Sequence, residues 1–487
     1  MCGITGYILK SPQACEADTL SRLWQGIRRR GPDDEGGILV YRSRREVRAI
    51  VSGRTHQALV ASGGKLEPPV PRHDVALFHT RYSIIDLSPA AHQPFRSRDG
   101  ACWLIFNGEI YNYLELRQLL EAQGVPCRTS SDTEVLAEGW RLWKHGLWPK
   151  LNGFWAAALY DATDNSVVLS RDRLGVAPFY YRETARGVYF SSLIAPLLAV
   201  EPGGYELDRD SVRGYLDTGL KDHDGTTMYR QVRSLPPATA VTFPQGGEAA
   251  ILGSDVRTFW TLPEKPWQEK ELGFEEAVRQ VRSTLVDAVR LRLRADVPLA
   301  FELSGGLDSS SVVAAAAEQL DRRLTVYTIQ VPGLDESPYA RALARRFNLD
   351  HRVLSGLEED LPRDAESFAR VMEEPYDTPA NYVHHRMLRK IKSDGFHVVL
   401  TGAGGDEALA GYEADFWPAA WREWRRGGPG ARWQADWYEF CRRFGTVRET
   451  RRTLMNYARA LAGWVGIKRV VGPEAPSSRA LVHLNDY

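Results

Sequence analysis

Cysteine is scarce in this 487-residue chain: Cys2, Cys15, Cys102, Cys127 and Cys441 are few, odd in number and scattered. That spacing builds neither a disulfide framework nor a paired-cysteine metal knuckle, and it suits a reducing compartment. Net charge is missing as well, because 62 basic residues offset 62 acidic ones. No global field therefore draws the chain to nucleic acid or to an anionic membrane. The apolar runs fall well short of a membrane span, and the start lacks the basic region and long apolar core of a secretory signal. A cytoplasmic protein without nucleic-acid or membrane partners is expected. No internal repeat is found. Hydrophobic residues at 43% and charged residues at 25% are ordinary for a globular protein, and the length calls for two or three domains rather than one core.

Two textures follow one another along the chain. Up to about residue 200, short strand candidates such as GITGYIL, DVALFHTRYSIIDL, CWLIFNGEIYN and FWAAALYD are bounded by Gly, Asn, Asp or Pro. Helical candidates such as TLSRLWQGIRRR and DTEVLAEGWRLWKHG, with apolar residues three to four apart, lie between them. This half, 2–205, reads as a sheet-rich α+β domain. A Pro-, Gly- and polar-rich stretch over 206–270 reads as a connection. From 271 to 487 strand candidates (PLAFEL, LTVYTIQV, FHVVL) alternate with helical ones. That order implies a doubly wound α/β parallel sheet, whose ligands bind beyond the carboxyl ends of the strands.

Chemistry-bearing motifs sit where that rule puts them. Strand PLAFEL runs into LSGGLDSSS, residues 303–311. Gly305 and Gly306 allow the backbone close to an anion, and the turn and helix-start N–H groups can face phosphate oxygens. Ser304 and Ser309 add hydroxyl donors, and Asp308 offers a carboxylate for magnesium carried by pyrophosphate. A plain Gly-rich connector with Ser and Asp as helix caps is the alternative. The whole string matches the pyrophosphate loop of ATP pyrophosphatases. A second loop, TGAGGDEALAGY at 401–412, again places glycines and an acidic pair, Asp406 and Glu407, after a strand.

At the other end stands MCGITGY. Removal of Met1, expected before a small residue, leaves Cys2 with a thiol and a free α-amine whose ordinary pKa is roughly 7.7–8. Such an amine can act as the thiol's base near neutral pH. RGPDDEG (30–36), HTRYSIIDL (79–87), NGEIYN (107–112), SDTE (131–134) and RDRLGVAPFYY (171–181) accompany it. Together these motifs resemble the class II glutamine amidotransferase domain, an N-terminal-nucleophile hydrolase of sandwiched antiparallel sheets. Followed by LSGGLDSS and TGAGGDE, they resemble the glutamine-hydrolysing asparagine synthetase family.

The resemblance implies specific roles. Cys2 would attack the side-chain amide of glutamine, with Asn107 and the N–H of Gly108 as the oxyanion hole. Arg81 would take the α-carboxylate as a fork-shaped donor, and Glu109 and Asp132 the α-amine. Tyr82, Ser83, Ile84 and Ile85 would line the pocket with Arg81. Ammonia would pass internally to the second half. There ATP and a carboxylate, aspartate or a related acid, would give an acyl adenylate and pyrophosphate, and ammonia would displace AMP. Leu303, Ser304, Gly305, Gly306, Asp308, Ser309, Ile329, Thr401, Gly402 and Asp406 would bind ATP, with Asp308 and Asp406 handling Mg²⁺ through pyrophosphate. No prosthetic group is implied, and a homodimer is among the assemblies the resemblance allows.

Three departures stand out. Arg29 replaces the histidine usual before RGPD. Ala403 stands where asparagine synthetases carry the glutamate of S-G-E-G-S-D-E, a residue linked to forming and consuming the adenylate. A later segment resembling E-A-R-V-P-F-L-D and its following lysine is not found; Lys468 has no matching context, and a synthetase half lacking its usual C-terminal part is expected. A glutaminase with an incomplete or repurposed synthetase half, and a non-catalytic nucleotide-binding regulator, are the alternatives. The Trp- and Arg-rich stretch 416–444 reads as amphipathic helices with Trp inward.

Overall fold

The computed structural model describes residues 1–411, apart from 14–16, 67–69, 71, 202–203, 220, 222–223, 248–249, 252–253, 264–270, 331–335, 377 and 410. The Trp- and Arg-rich stretch, Lys468, Cys15 and Cys441 lie outside the described residues. The chain divides into a unit Met1–Gly402 and a unit Ala403–Tyr487.

The first unit opens with two antiparallel sheets stacked face to face. Strand Gly3–Gln13 lies inside the first sheet between Gly187–Ser191 and His73–Arg81; Asp34–Tyr41 and Glu46–Val51 continue it. The second sheet is built on Cys102–Ile110, Gly153–Asp161 and Ser166–Arg171. Period-two alternation explains the stack. Ile4, Ile8, Ile38, Val40, Val75 and Leu77 of one sheet meet Ile105, Ala156, Ala158, Val167 and Leu169 of the other in a dry core. The alternate residues Tyr7, Leu9, Leu39 and Phe78 pack outward against Leu20, Leu23 and Trp24 of helix Ala17–Gly26. Leu104, Phe106, Trp155 and Leu159 pack outward against helices Tyr113–Ala122 and Asp132–Trp143. The result is four layers, helix–sheet–sheet–helix, as the amidotransferase resemblance implies.

The stretch read as a connection does more than connect. Thr239–Pro244 pairs with Ser166–Arg171 and with Asp255–Thr258, and Arg233–Ser234 pairs with Tyr180–Glu183. Two of its prolines, Pro236 and Pro237, fall just before the paired residues, and Pro244 is the last residue of its strand, positions at the strand's ends where proline is tolerated.

A parallel sheet follows, in the order Asp350–Ser355, Thr325–Gln330, Leu299–Glu302, Val398–Leu400. Phe301, Leu303 and Val326 pack with Val313 and Ala316 of helix Leu307–Gln319 and with Val289 of helix Phe274–Arg292. Ala300 and Tyr327 face the other way, onto Met387 and Ile391 of helix Pro379–Ser393. Helices cover both faces, as strand–helix alternation requires. Among the described residues no helix is long and apolar enough to cross a membrane. Of the second unit the described part is a short helix, Gly405–Leu409.

Candidate active site

Cys2 precedes the first strand and is held where that strand meets the end of His73–Arg81. Its Sγ accepts the Tyr82 N–H at 3.3 Å, and its carbonyl accepts Arg30 Nε at 2.7 Å. Glycines make this approach possible. A Cβ on Gly3 would stand 2.7 Å from Thr80 Oγ1; one on Gly31 would overlap the Thr80 backbone and stand 2.5 Å from the Arg81 nitrogen. The glycine of RGPD thus lets the Arg30 turn lie flat on the strand that ends at Arg81. Gly31→Ala is expected to cost about 1–3 kcal/mol through forced overlap, seen as a lower urea midpoint at unchanged m-value.

Burial raises the Cys2 thiol pKa. The terminal amine, the Tyr82 N–H, Arg81 and Arg30 oppose that rise. The buried amine of Met1 has its pKa lowered to about 6, mainly by burial. The amine that the resemblance assigns as the thiol's base is that of Cys2 itself, which only removal of Met1 exposes.

Across the pocket, strand Cys102–Ile110 presents Asn107 and Gly108. Asn107 is fully buried, and neither atom of its side-chain amide has a partner. Native proteins rarely leave such a group orphaned. A Cβ on Gly108 would overlap the Phe154 carbonyl and stand 2.7 Å from Trp155 Cα, so only glycine keeps the ladder flat there. His79, behind this strand, donates from Nε2 to the Phe106 carbonyl at 3.2 Å; burial lowers its pKa to about 3, so it is neutral.

Two carboxylates close the pocket. Asp132 opens helix Asp132–Trp143, which Ser131 caps by accepting the Thr133 N–H at 3.1 Å; Asp132 Oδ2 accepts the Ile110 N–H at 3.1 Å. Burial raises Asp132 to about 6. Glu109 is raised to about 8 by burial first and the Asp132 charge second, against Arg292. A site that holds buried carboxyls in reserve suits a cationic ligand, which would restore their charge. The sign for stability follows. Both folded pKa values exceed the unfolded ones, so between about pH 4 and 8 these two groups hold more protons in the ligand-free protein than in the unfolded chain. The lowered His79 acts in the opposite sense. The stability these two carboxyls contribute is expected to fall as pH rises through that window, so the urea midpoint of Glu109→Gln, and that of the wild type with glutamine, should gain on the ligand-free wild type as pH rises.

Arg81 spends two of its five N–H donors on backbone carbonyls, those of Asp86 and Ser88 (2.9 Å to Ser88). This fixes the guanidinium at the rim. Cys2, Arg81, Tyr82, Ser83, Ile84, Ile85, Asn107, Gly108, Glu109 and Asp132 all line one cavity, part of it open to solvent. Gln93 lines it too and was not foreseen. Its Oε1 accepts the Phe106 N–H at 2.7 Å and its Nε2 donates to Thr133 Oγ1 at 3.3 Å, tying the Asn107 strand to the Asp132 helix. No motif around AHQPF signals that role.

The second loop system stands at the carboxyl ends of the parallel strands. Gly305 adopts φ +102°, and a Cβ there would meet the Glu336 carbonyl at 2.8 Å. Ser304 and Ser309 turn their hydroxyls on each other at 2.9 Å, and Ser304 Oγ accepts the Gly306 N–H at 3.2 Å, so both hydroxyls staple the loop rather than point outward. Asp308 is half-buried in the first turn of helix Leu307–Gln319. Gly402 lies against that turn; a Cβ on it would stand 2.5 Å from the Ser309 nitrogen. Leu303, Ile329, Thr401 and Gly402 thus sit at the ends of three neighbouring strands. Asp406 belongs to the second unit, in helix Gly405–Leu409. An ion pair also stands at this end of the sheet: His384 Nε2 and Glu302 Oε1, 2.7 Å apart, which raises the His384 pKa.

Residues 37–260 match the family model described as "Glutamine amidotransferase domain", and residues 280–472 match "Asparagine synthase". Asparagine synthetase [glutamine-hydrolyzing] 1 of Bacillus subtilis is 29% identical over 421 residues, covering 85% of this chain and 59% of that one. The chain belongs to the glutamine-hydrolysing asparagine synthetase family. Asparagine synthetase [glutamine-hydrolyzing] 3 of the same organism is 28% identical over 431 residues, covering 85% of this chain and 63% of that one. Amidase chyE of Penicillium rubens is 30% identical over 362 residues, covering 70% and 52%. The chain spans between 52% and 76% of the length of the curated relatives named here and of a relative from Methanocaldococcus jannaschii. The amidotransferase match begins at residue 37, beyond Cys2 and Arg30. The place of Cys2 in the site therefore rests on the geometry around it.

Proposed function

We propose that this chain is a cytoplasmic, ATP-dependent, glutamine-hydrolysing amidotransferase that converts a carboxylate, aspartate or a related acid, to its amide. The observation that carries the reading is the orphaned Asn107 amide facing the same cavity as the Cys2 thiol and the Glu109–Asp132 pair. With Met1 removed, the α-amine takes the thiol proton and the thiolate attacks the glutamine amide carbon. Asn107 Nδ2 and the Gly108 N–H receive the developing oxyanion, each such donor being worth about 2.7–4 kcal/mol. The protonated amine then gives its proton to the departing ammonia, and water releases glutamate from the thioester. Arg81 and the acidic pair hold the amino-acid end of glutamine, which fixes the reacting bond over the thiol.

Ammonia then reaches the parallel-sheet site. There the Leu303–Ser309 loop and Thr401–Gly402 bind ATP, and a carboxylate oxygen attacks the α-phosphorus and expels pyrophosphate. Ammonia attacks the acyl carbon and AMP leaves. Asp308, half-buried beside the loop hydroxyls, supplies the oxygen donor that a hard divalent ion takes; Asp406 is assigned with it on the resemblance. Magnesium bound there would neutralise charge on pyrophosphate as it leaves.

Ala403 favours a second reading, a glutaminase whose synthetase half is incomplete, because a methyl group replaces the carboxylate of the family pattern. Carboxylate-dependent exchange of labelled pyrophosphate into ATP separates the two. Exchange with at least one acid of a panel supports the synthetase. Glutamate release with no exchange for any acid establishes the glutaminase.

A further inference from the structure

The glutamine cavity has two walls, Arg81–Asp86 and Asn107–Tyr111, and neither is held by the amidotransferase sheets alone. Both are tied to Arg292–Asp296, the last residue of helix Phe274–Arg292 and the first four of the link to strand Leu299–Glu302 in the parallel-sheet fold. Asp296 grips the first wall at two points: its N–H donates to the Ile84 carbonyl at 3.0 Å, and its Oδ2 accepts the Asp86 N–H at 2.8 Å. Asp86 is the residue whose carbonyl takes Arg81, and it adopts φ +55°, an unusual conformation for a non-glycine residue that needs support from outside. Arg294 grips the second wall. Its Nη1 donates to the Tyr111 carbonyl at 2.6 Å, and its fork meets Glu115 at 2.6 and 2.5 Å. The Arg292 guanidinium lies 4.4 Å above the Tyr111 ring.

We propose that the connector Arg292–Asp296 positions the glutamine pocket, Asp296 setting the Arg81 wall and Arg292 with Arg294 setting the Glu109 wall. Glutamine capture at one fold therefore depends on a segment of the other. The same connector enters strand Leu299–Glu302, which ends at the Ser304 loop, so the two sites share one short stretch of chain. The inference rests on the reading that this cavity binds glutamine.

The test is steady-state glutamate release from L-glutamine by the full-length protein with its native N-terminus, for the wild type, Asp296→Ala, Asp296→Asn and Arg292→Met. A hydrogen bond to a charged group is lost in Asp296→Ala, so KM is expected to rise about ten-fold or more with kcat little changed. Asp296→Asn keeps an oxygen for the Asp86 N–H and is expected to restore most of the KM. Arg292→Met is expected to raise KM chiefly below about pH 8, where the charge on Glu109 depends on its neighbours Arg292, Asp132 and Tyr111; it also serves if Asp296→Ala does not fold. The proposal is overturned if Asp296→Ala keeps the wild-type KM, if Asp296→Asn is as impaired as Asp296→Ala, or if KM in Arg292→Met is unchanged. A wild type that releases no glutamate instead removes the glutamine reading beneath it.

Discussion

Cys2→Ala is expected to lower glutamate release from glutamine at least about a thousand-fold, while amide formation from added ammonium continues. The thiol is the only proposed group that bonds to substrate, and neither Asn107 nor Arg81 can take its place. The small change in side-chain volume beside the Tyr82 N–H leaves the fold intact, so the ammonium-dependent reaction serves as the internal control. A chain that keeps Met1 cannot be made by enlarging the residue after it, because that residue is Cys2 itself. In vitro removal of Met1 is the cleaner comparison, and activity is expected to appear with that removal. Loss of both glutamine- and ammonium-dependent synthesis in Cys2→Ala would contradict the division of labour.

Asn107→Leu is expected to separate activity from stability. In the ligand-free protein both amide atoms of Asn107 are buried without partners, and an unsatisfied buried polar group costs about 1–3 kcal/mol. An apolar side chain of similar shape removes that cost, so the urea midpoint should hold or rise. The same change removes an oxyanion donor, and kcat for glutamate release should fall about 10²–10³-fold. A parallel fall in both quantities would mean that Asn107 is a structural residue. Residues retained at a cost to folding are characteristic of sites selected for chemistry.

The residues that line the Cys2 cavity were legible in the sequence because most sit in motifs whose spacing is local. RGPD needs its glycine to lie on a strand, NGE places an amide and a glycine in adjacent ladder positions, and SDTE caps a helix. The stacked sheets were legible from alternation and the parallel sheet from strand–helix order. What escaped is non-local. Thr239–Pro244 joins a sheet through Ser166–Arg171, some seventy residues earlier, and its Pro- and Gly-rich flanks read as a connection. Gln93 bridges two elements through side-chain bonds that no spacing announces. Asp296 reaches Asp86 across 210 residues, and His384 reaches Glu302 across 82. Ser304 and Ser309 have the residue types of a phosphate loop, but pairing with each other is decided by the turn's geometry. Pattern identifies which elements form; which distant side chains meet depends on how those elements pack.

The central claim is that ammonia made at Cys2 is used by the same chain. The direct measurement supplies glutamine labelled with ¹⁵N in its amide, ATP and a panel of carboxylates that includes aspartate, against an excess of unlabelled ammonium. The account predicts ¹⁵N in the product amide well above the isotopic composition of the free ammonium, with AMP formed in step. Glutamate without AMP, and with all of the ¹⁵N in free ammonium, would contradict it.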